Sequence, residues 1–346
     1  MARSGRVTLK MIAQATGYTI NTVSHALNGK GDISPATALY IRQKAREMGY
    51  INDMAASSLR SGYTRTVALI FPNVANPFWA LFLKCIDREL HRYHYVSLMM
   101  DTDEDSHLEY QAVQAAISHK VDGIILCPNQ RNLEAVQLIE KNNVPYVLLG
   151  RRFPGRPMNY VVWDEESGGY QAASYLLGLG KRRILFVNGP RHISSSVERY
   201  SGYRRALEEH GIPLDPQLVV ETDLSAAGDN QELKRVFQHP ASFDAILAFS
   251  DFIAWEIMVL LKDRRDPRLG SLPIVGFDDI QSNLRIPVSF ATVGMDKQAC
   301  AQRAVEILIS LIGKHPPQQP IQEILPTHLA LHGMPPGSEL GNLLEL

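Results

Sequence analysis

The chain has 346 residues, 45% hydrophobic and 21% charged, which is ordinary globular composition and too long for one small core, so two or three domains are expected. The formal charge of −1 hides an uneven distribution: residues 1–62 carry eight Lys or Arg against three acids, leaving 27 basic and 33 acidic residues for the remainder. A small basic head on an acidic body points to contact with a polyanion through the head alone.

No apolar run reaches the length of a membrane span, and the first residues hold no apolar stretch of the secretory type, so a cytoplasmic protein is expected. Cys85, Cys127 and Cys300 lie far apart, each in an apolar segment. They read as reduced core thiols without metal spacing, and neither metal nor cofactor is expected.

In chain order, Val7–Asn28 (VTLKMIAQATGYTINTVSHALN) predicts two short helices around a tight turn. Thr8 can cap a first helix that turns Leu9, Ile12 and Ala13 inward. Gly17 sits at the sharp turn, and Thr19 can cap a second helix with Val23 and Leu27 inward. That spacing leaves Ile20, Asn21, Ser24 and His25 pointing outward. This is helix-turn-helix geometry, whose second helix enters the DNA major groove, although an ordinary helical hairpin has the same pattern. Ser34-Pro35 starts a third helix, with Ala38, Ile41, Ala45 and Met48 on one face and Gly49 as its stop. Arg42, Lys44 and Arg46 suit either phosphates or a solvated face.

Tyr50–Tyr63 is short and rich in small residues; DMAASSLR within it could form two marginal helical turns that need a partner or DNA. From Thr66 onward, short apolar runs alternate with amphipathic stretches. TVALIFP, VSLMMDTD, VDGIILCP and VPYVLLGRR read as strands buried on both faces of a parallel sheet. A second series opens with NYVVWD, giving two doubly wound α/β units over about 66–160 and 161–290. The stretch after Phe290 is expected to cross back, and the last residues to form a poorly ordered tail. Ligands of such units bind beyond the carboxyl ends of the strands.

The head, the linker and the two-lobed body in this order resemble the lactose/galactose-repressor (LacI/GalR) family of bacterial transcription regulators. The resemblance covers about Val7–Leu329 and rests on VTLKMIAQATGYTINTVSHALNGKGDIS, NPFWALFLKCID, ERYSGYRRAL, ILAFSD and PIVGFDDI. It implies an α/β fold class: an N-terminal helix-turn-helix head plus a two-lobed, doubly wound, periplasmic-binding-protein-like body. The expected domains are a head over 1–50, a hinge helix over 51–63, a body over 64–330 and a tail over 331–346. Lobe 1 would span about 64–160 with part of 291–325, and lobe 2 about 161–290.

By the same resemblance, Ile20, Asn21 and His25 occupy base-reading positions, with Thr22 and Ser24 nearer the phosphates. Thr8, Thr19 and Asn28 complete the set at the head. Ala55, Ala56 and Leu59 would enter the minor groove, where apolar wedges unstack and bend DNA. Family members usually carry Arg where this chain has His25. Arg grips guanine with two hydrogen bonds and His offers one group per ring edge, so the half-site is expected to differ there. They also carry Pro-Asn where it has Asn52-Asp53, and Asp53 is expected to cap the hinge helix.

At the effector cleft the resemblance implies Phe78 and Trp79 on the first lobe and Arg199, Ser250 and Asp278 on the second. Arg199 and Asp278 would face one another across vicinal hydroxyls, with a structural ion pair as the plainer reading; Phe78 or Trp79 could equally be core. Asp251 is expected to cap the following helix. Leu224 and Met295 replace positions often aromatic or polar in sugar-binding members, which leaves the ligand class open around a sugar or sugar derivative. The implied activity is repression from a palindromic operator by a homodimer joined through the helices within Phe78–Arg92 and Glu109–His119. No leucine heptad follows Leu329, so a coiled-coil tetramer is not expected.

Two other classes compete. A non-regulatory solute-binding protein of the same two-lobed fold would need a signal peptide and no basic head. An enzyme would need a chemistry motif, and there is no GxGxxG after a first strand, no Walker A lysine, no GxSxG elbow and no HExxH.

Overall fold

The computed structural model describes residues 7–51, 62–224, 231–238, 242–266, 272–284 and 290–332. The chain separates into two units, Met1–Thr64 and Arg65–Leu346.

The first unit packs three helices, α1 (Leu9–Thr16), α2 (Ile20–Leu27) and α3 (Pro35–Glu47). Thr8, Thr19 and Ser34 cap them by accepting from the Met11, Thr22 and Thr37 amides, and Gly17 takes the left-handed turn between α1 and α2 at φ 74°. Ile12, Ala13, Val23, Ala26, Ile41 and Ala45 form its core. Leu27, expected inside, is half-buried, and Ala26 takes the inner place. A small side chain there lets α3 close on α2, and the Arg42 Nε donates to the Ala26 carbonyl at 2.9 Å.

The second unit holds two six-stranded sheets. The first contains β1 (Thr66–Phe71), β2 (Val96–Asp101), β3 (Gly123–Leu126), β4 (Tyr146–Leu149), β5 (Tyr160–Trp163) and β11 (Gln322–Leu325), in the order β11-β5-β4-β3-β1-β2. The second contains β6 (Ile184–Asn188), β7 (Val219–Glu221), β8 (Ala245–Ala248), β9 (Ile274–Phe277), β10 (Ala291–Met295) and β12 (Thr327–Ala330), in the order β12-β10-β9-β8-β6-β7. All pairings are parallel except β10 with β12. Apolar cores cover both faces of each sheet, as doubly wound sheets require.

Two readings of the strands change. Tyr160–Trp163 belongs to the first sheet, pairing Leu148 with Tyr160, rather than opening the second series. VSLMMD is not buried on both faces: as β2 it is an edge strand, with Val96 53% and Met99 54% exposed.

The helices are α4 (Pro77–Arg92), α5 (Ser106–Ser118), α6 (Glu134–Lys141), α7 (Glu165–Gly178), α8 (Ser194–Glu209), α9 (Gln231–Gln238), α10 (Asp251–Asp263) and α11 (Lys297–Ile312). The chain crosses between lobes after Trp163, after Met295 and after Leu325, because α11 packs on the first sheet while β10 and β12 belong to the second. No helix among the described residues is long and apolar enough to cross a membrane.

One packing contact sets the position of the later site. At the crossing of α7 and α8, a Cβ on Gly169 would overlap the Arg199 carbonyl, and one on Gly202 would overlap the Glu166 carbonyl. The two backbones touch only because both residues are glycine. Gly202→Ala must therefore push the helices apart, and overpacking of this kind costs about 1–3 kcal/mol. The expected result is a melting temperature lower by about 2–10 °C, read by calorimetry of the full chain; an unchanged melting temperature would show that the crossing relaxes freely.

Candidate functional site

On the head, α2 presents a narrower face than its spacing predicts. Ile20 is 48% exposed, and Asn21 and Asn28 are exposed, but Ser24 is only 7% exposed. The Asn28 amide reaches back to the Ser24 carbonyl at 2.7 Å and to its hydroxyl at 3.3 Å, so both side chains are engaged at the helix end. Ser24 is thus corrected from an outward residue to a packed one. Thr19 and Thr22 share a hydroxyl contact at 2.9 Å and remain near the solvent end of α2. His25 stays one-third exposed, with Nδ1 2.6 Å from Asp32 Oδ2. Ala55, Ala56, Leu59 and the Asp53 cap lie outside the described residues, as does the tail beyond 332.

In the body, a cavity of about 270 Å³ opens between the lobes, and Phe78, Trp79, Arg199, Ser250 and Asp278 all line it. Each comes from a strand end or the start of the next helix, where a doubly wound sheet exposes its loops. Asn76 caps α4 by accepting from the Phe78 amide at 3.0 Å, which places Phe78 and Trp79 at the mouth of the first lobe. Both aromatic rings are core as well as wall. Phe78 lies 4.7 Å from Trp79 and 5.7 Å from Trp163, and Phe82 continues the stack behind them.

Arg199 differs most from its expected role. Its fork is closed on Glu165, Nε donating at 2.7 Å and Nη2 at 3.0 Å, while Nη1 donates to the Phe249 carbonyl. The guanidinium is sandwiched over Phe277 at 4.0 Å and Phe249 at 4.5 Å. The bidentate pair is therefore Arg199 with Glu165, not Arg199 across from Asp278. One hydrogen on each of Nη1 and Nη2 is left to meet a ligand. A second such pair stands on the first lobe, where Arg151 donates to Glu104 at 2.5 and 2.8 Å and to the Pro128 carbonyl at 3.2 Å.

Asp278, in contrast, holds no hydrogen bond on its carboxylate among the described residues. Burial pushes its pKa up to about 6, against the pull of Arg199 and Lys297. Its φ of 100° turns the backbone so that the side chain reaches the cavity lining. Ser250, rather than Asp251, caps α10: its hydroxyl accepts from the Ile253 amide at 3.2 Å and keeps its own proton to donate. Asp251 is buried beneath, accepting from the Thr292 hydroxyl at 2.6 Å and the Ile280 amide at 2.9 Å, where it braces the β9 and β10 loops. Leu224 lines the cavity, but Met295 is buried in the first-lobe core and does not.

At one rim the lobes are tied directly. Gln130 accepts from the Ser194 amide at 2.9 Å, the Arg152 amide donates to the Ser194 hydroxyl at 3.2 Å, and Arg152 pairs with Glu198 at 2.9 Å. The sequence reading gave no role to Glu165, Glu104, Arg151 or Trp163. Strand-end position marks Arg151 and Trp163, but nothing local marks Glu165, which looks like any acid in a first helical turn. Among the described residues no group of three His, Cys, Asp or Glu could hold a metal.

A helix-turn-helix head joined to a two-lobed body with a polar, aromatic-walled cleft defines a ligand-controlled DNA-binding regulator. Comparison with known proteins agrees. Residues 8–53 match the model described as "Bacterial regulatory proteins, lacI family", and residues 64–270 match "Periplasmic binding proteins and sugar binding domain of LacI family". The HTH-type transcriptional regulator DegA of Bacillus subtilis (strain 168) is 30% identical over 94% of this chain and 97% of its own length. Among solved structures, the transcriptional regulator CelR–cellobiose complex is 26% identical, covering 94% of this chain and 99% of that one at a TM-score of 0.68. The lac repressor dimer bound to operator and the anti-inducer ONPF shares the fold at a TM-score of 0.77 and 21% identity, over 94% of this chain and 98% of that one. The chain belongs to the LacI family of bacterial transcriptional regulators, and it is not an enzyme.

The two buried ion pairs differ from the rim pair in what their loss does. Glu165→Ala strands a buried guanidinium and should cost about 3–5 kcal/mol, whereas Arg152→Ala, at a partly exposed pair, should cost about 1 kcal/mol or less. Urea denaturation reads both. Replacing the pair together, Glu165→Leu with Arg199→Met, should recover most of the loss; a double variant as unstable as Glu165→Ala would contradict this account.

Proposed function

We propose that this regulator is a homodimer that represses from a palindromic operator, with its grip set by a neutral carbohydrate bound between the lobes. The observation that carries the ligand class is the charge of the cavity lining. Among the described residues, Glu104, Glu165, Asp223, Glu256 and Asp278 stand against Arg151 and Arg199, whose forks are already closed on Glu104 and Glu165. A phosphate or carboxylate would meet no cation among them that is not already paired. Hydroxyl groups would meet Asp278 as acceptor, Ser250 as donor and the spare Arg199 hydrogens, while Phe78 and Trp79 cover the C–H face of a ring. A volume of about 270 Å³ suits a small sugar. The cellobiose complex of the related CelR supports the same class.

In this reading Ile20, Asn21 and His25 meet base edges. Thr8, Thr19, Thr22 and Asn28 lie toward the sugar-phosphate backbone, and Ala55, Ala56 and Leu59 serve the hinge. The proposed layout is a head over 1–50, a hinge over 51–63 and a two-lobed body over 64–330. Dimerisation through the first lobe is supported by the exposed apolar edge of β2, where Met99 lies with Val74 beside the outer face of α4 and Val96 is exposed at the start of the same strand. A protein that acts on an operator works in the cytoplasm.

Titration calorimetry against neutral mono- and disaccharides and their phosphorylated counterparts tests the ligand class. The expected result is a neutral sugar that binds at least about tenfold more tightly than its phosphate and changes operator affinity by about 5- to 150-fold in gel shifts at fixed salt. Tighter binding of the phosphate, or binding without any change at the operator, would overturn the proposal.

Asp278 also predicts a pH dependence. Above about pH 6 it is a carboxylate that accepts from hydroxyls, and below that it is protonated, so affinity should rise from pH 5 to pH 7. Asp278→Asn should flatten that rise. Because the folded pKa lies above the usual value, the same group makes the free protein less stable as pH climbs from about 4 to 6, so the two trends must run in opposite directions. For assembly, Met99→Glu with Val96→Glu should convert the dimer to monomer in analytical ultracentrifugation and weaken operator binding; a double variant that remains dimeric would place the interface elsewhere.

A further inference from the structure

The recognition helix carries an ion-pairable contact that the reading of its face does not explain. His25 Nδ1 lies 2.6 Å from Oδ2 of Asp32, a residue of the turn that joins α2 to α3. The hydrogen bond with His25 holds the Asp32 carboxyl below its usual range, so Asp32 is a carboxylate wherever operator binding is measured. A carboxylate only accepts, which places a hydrogen on Nδ1 in either charge state of the ring. The opposite nitrogen, Nε2, holds no hydrogen bond among the described residues, and His25 is one-third exposed on the same side as Asn21, one helical turn earlier.

We propose that Asp32 is a specificity-determining positioning residue, which holds the His25 imidazole by Nδ1 so that Nε2 alone meets the operator base. The neutral ring presents Nε2 as a bare acceptor, and the major groove answers an acceptor with the amino group of adenine or cytosine. The protonated ring presents Nε2–H, which is answered by the N7 or O6 of guanine. An arginine at this place could make only the second of these contacts.

The surrounding charges leave that contact intact. Lys30, in the same turn, interacts with Asp32. Arg42 on α3 is committed through Nε to the Ala26 carbonyl, its guanidinium lying against the turn at Gly29. Lys10, the one charged residue of α1, is exposed. Asp32 is therefore the one carboxylate placed to orient the ring, and it is exposed enough to be changed without disturbing the core.

The inference rests on α2 being the helix that meets base edges, and the test separates the two. Full-length wild type, Asp32→Asn and His25→Ala are each used to select operators from a pool randomised across the half-site, at one pH and constant ionic strength. Wild type should favour one base about tenfold at one symmetric position. Asp32→Asn, whose amide can either accept from Nδ1–H or donate to bare Nδ1, no longer fixes which ring nitrogen carries the hydrogen, so it should weaken the preference at that position alone. His25→Ala should lose the preference there. An Asp32→Asn selection identical to that of wild type overturns the role of Asp32. An unchanged preference at every position in His25→Ala overturns the placing of His25 at the bases. Melting curves of the three proteins, expected to coincide, exclude misfolding as the cause.

Discussion

The cleft depends on two glycines. Where α7 crosses α8, Gly169 and Gly202 let backbone meet backbone, and this approach brings the first turn of α7 within reach of the second turn of α8. Glu165 and Arg199 can then close a bidentate pair in nearly complete burial. In such a setting a lone charge of either sign would be expensive, while the pair is tolerable because every strong donor direction but two is used. The Arg199 guanidinium then acts as a rigid plate between Phe277 and Phe249. From it hang the remaining second-lobe features: the Phe249 carbonyl that precedes the Ser250 cap, and the Asp278 carboxylate it draws toward ionisation.

The connectivity makes the cleft a joint as well as a pocket. Three chain crossings link the lobes, after Trp163, Met295 and Leu325, and α11 belongs by packing to the lobe opposite its preceding strand. A ligand that touches Phe78 and Trp79 on one lobe and Asp278 and Ser250 on the other must favour one setting of that joint. The rim contacts from Gln130 and Arg152 to Ser194 and Glu198 favour one too. Only the difference in contact between settings can shift the balance. The half-buried, polar nature of the rim suits that task, because contacts of this kind are worth little enough to be exchanged.

Much of this was legible in the sequence where a signal is local. Thr8, Thr19 and Ser34 as caps, Gly17 as a turn and the alternation of apolar runs with amphipathic stretches follow from periodicity and backbone chemistry. The five cleft residues followed from motif resemblance joined to the strand-end rule. What was not legible depends on partners distant in sequence. VSLMMD has the composition of a buried strand, and only the strand order reveals it as an edge. Ser24 has the spacing of an outward residue, but Asn28 covers it. Glu165 is 34 residues from Arg199, and no window joins them. Asp251 looks like a cap beside Ser250 because either residue type can serve, and the choice is made by Thr292 and Ile280 from another part of the sheet.

Charge divides the work along the chain. The basic first 62 residues and the acidic remainder together sum to almost nothing, which would be uninformative if the charges were mixed. Segregated, they do two things. The head attracts a polyanion over distances up to about a Debye length. The body repels the same polyanion, so the nucleic acid is steered to the head rather than held nonspecifically along the whole protein. Within the cleft the same excess of acids persists, and the two arginines that could have admitted an anion are each closed on a glutamate. A single bias in composition therefore disfavours nucleic acid on the body and, among the described residues of the cleft, leaves no arginine without a glutamate partner. On the proposed function, the ligand that suits such a lining is one recognised by hydroxyl groups and ring faces, with Asp278, Ser250, Phe78 and Trp79 on the cleft wall.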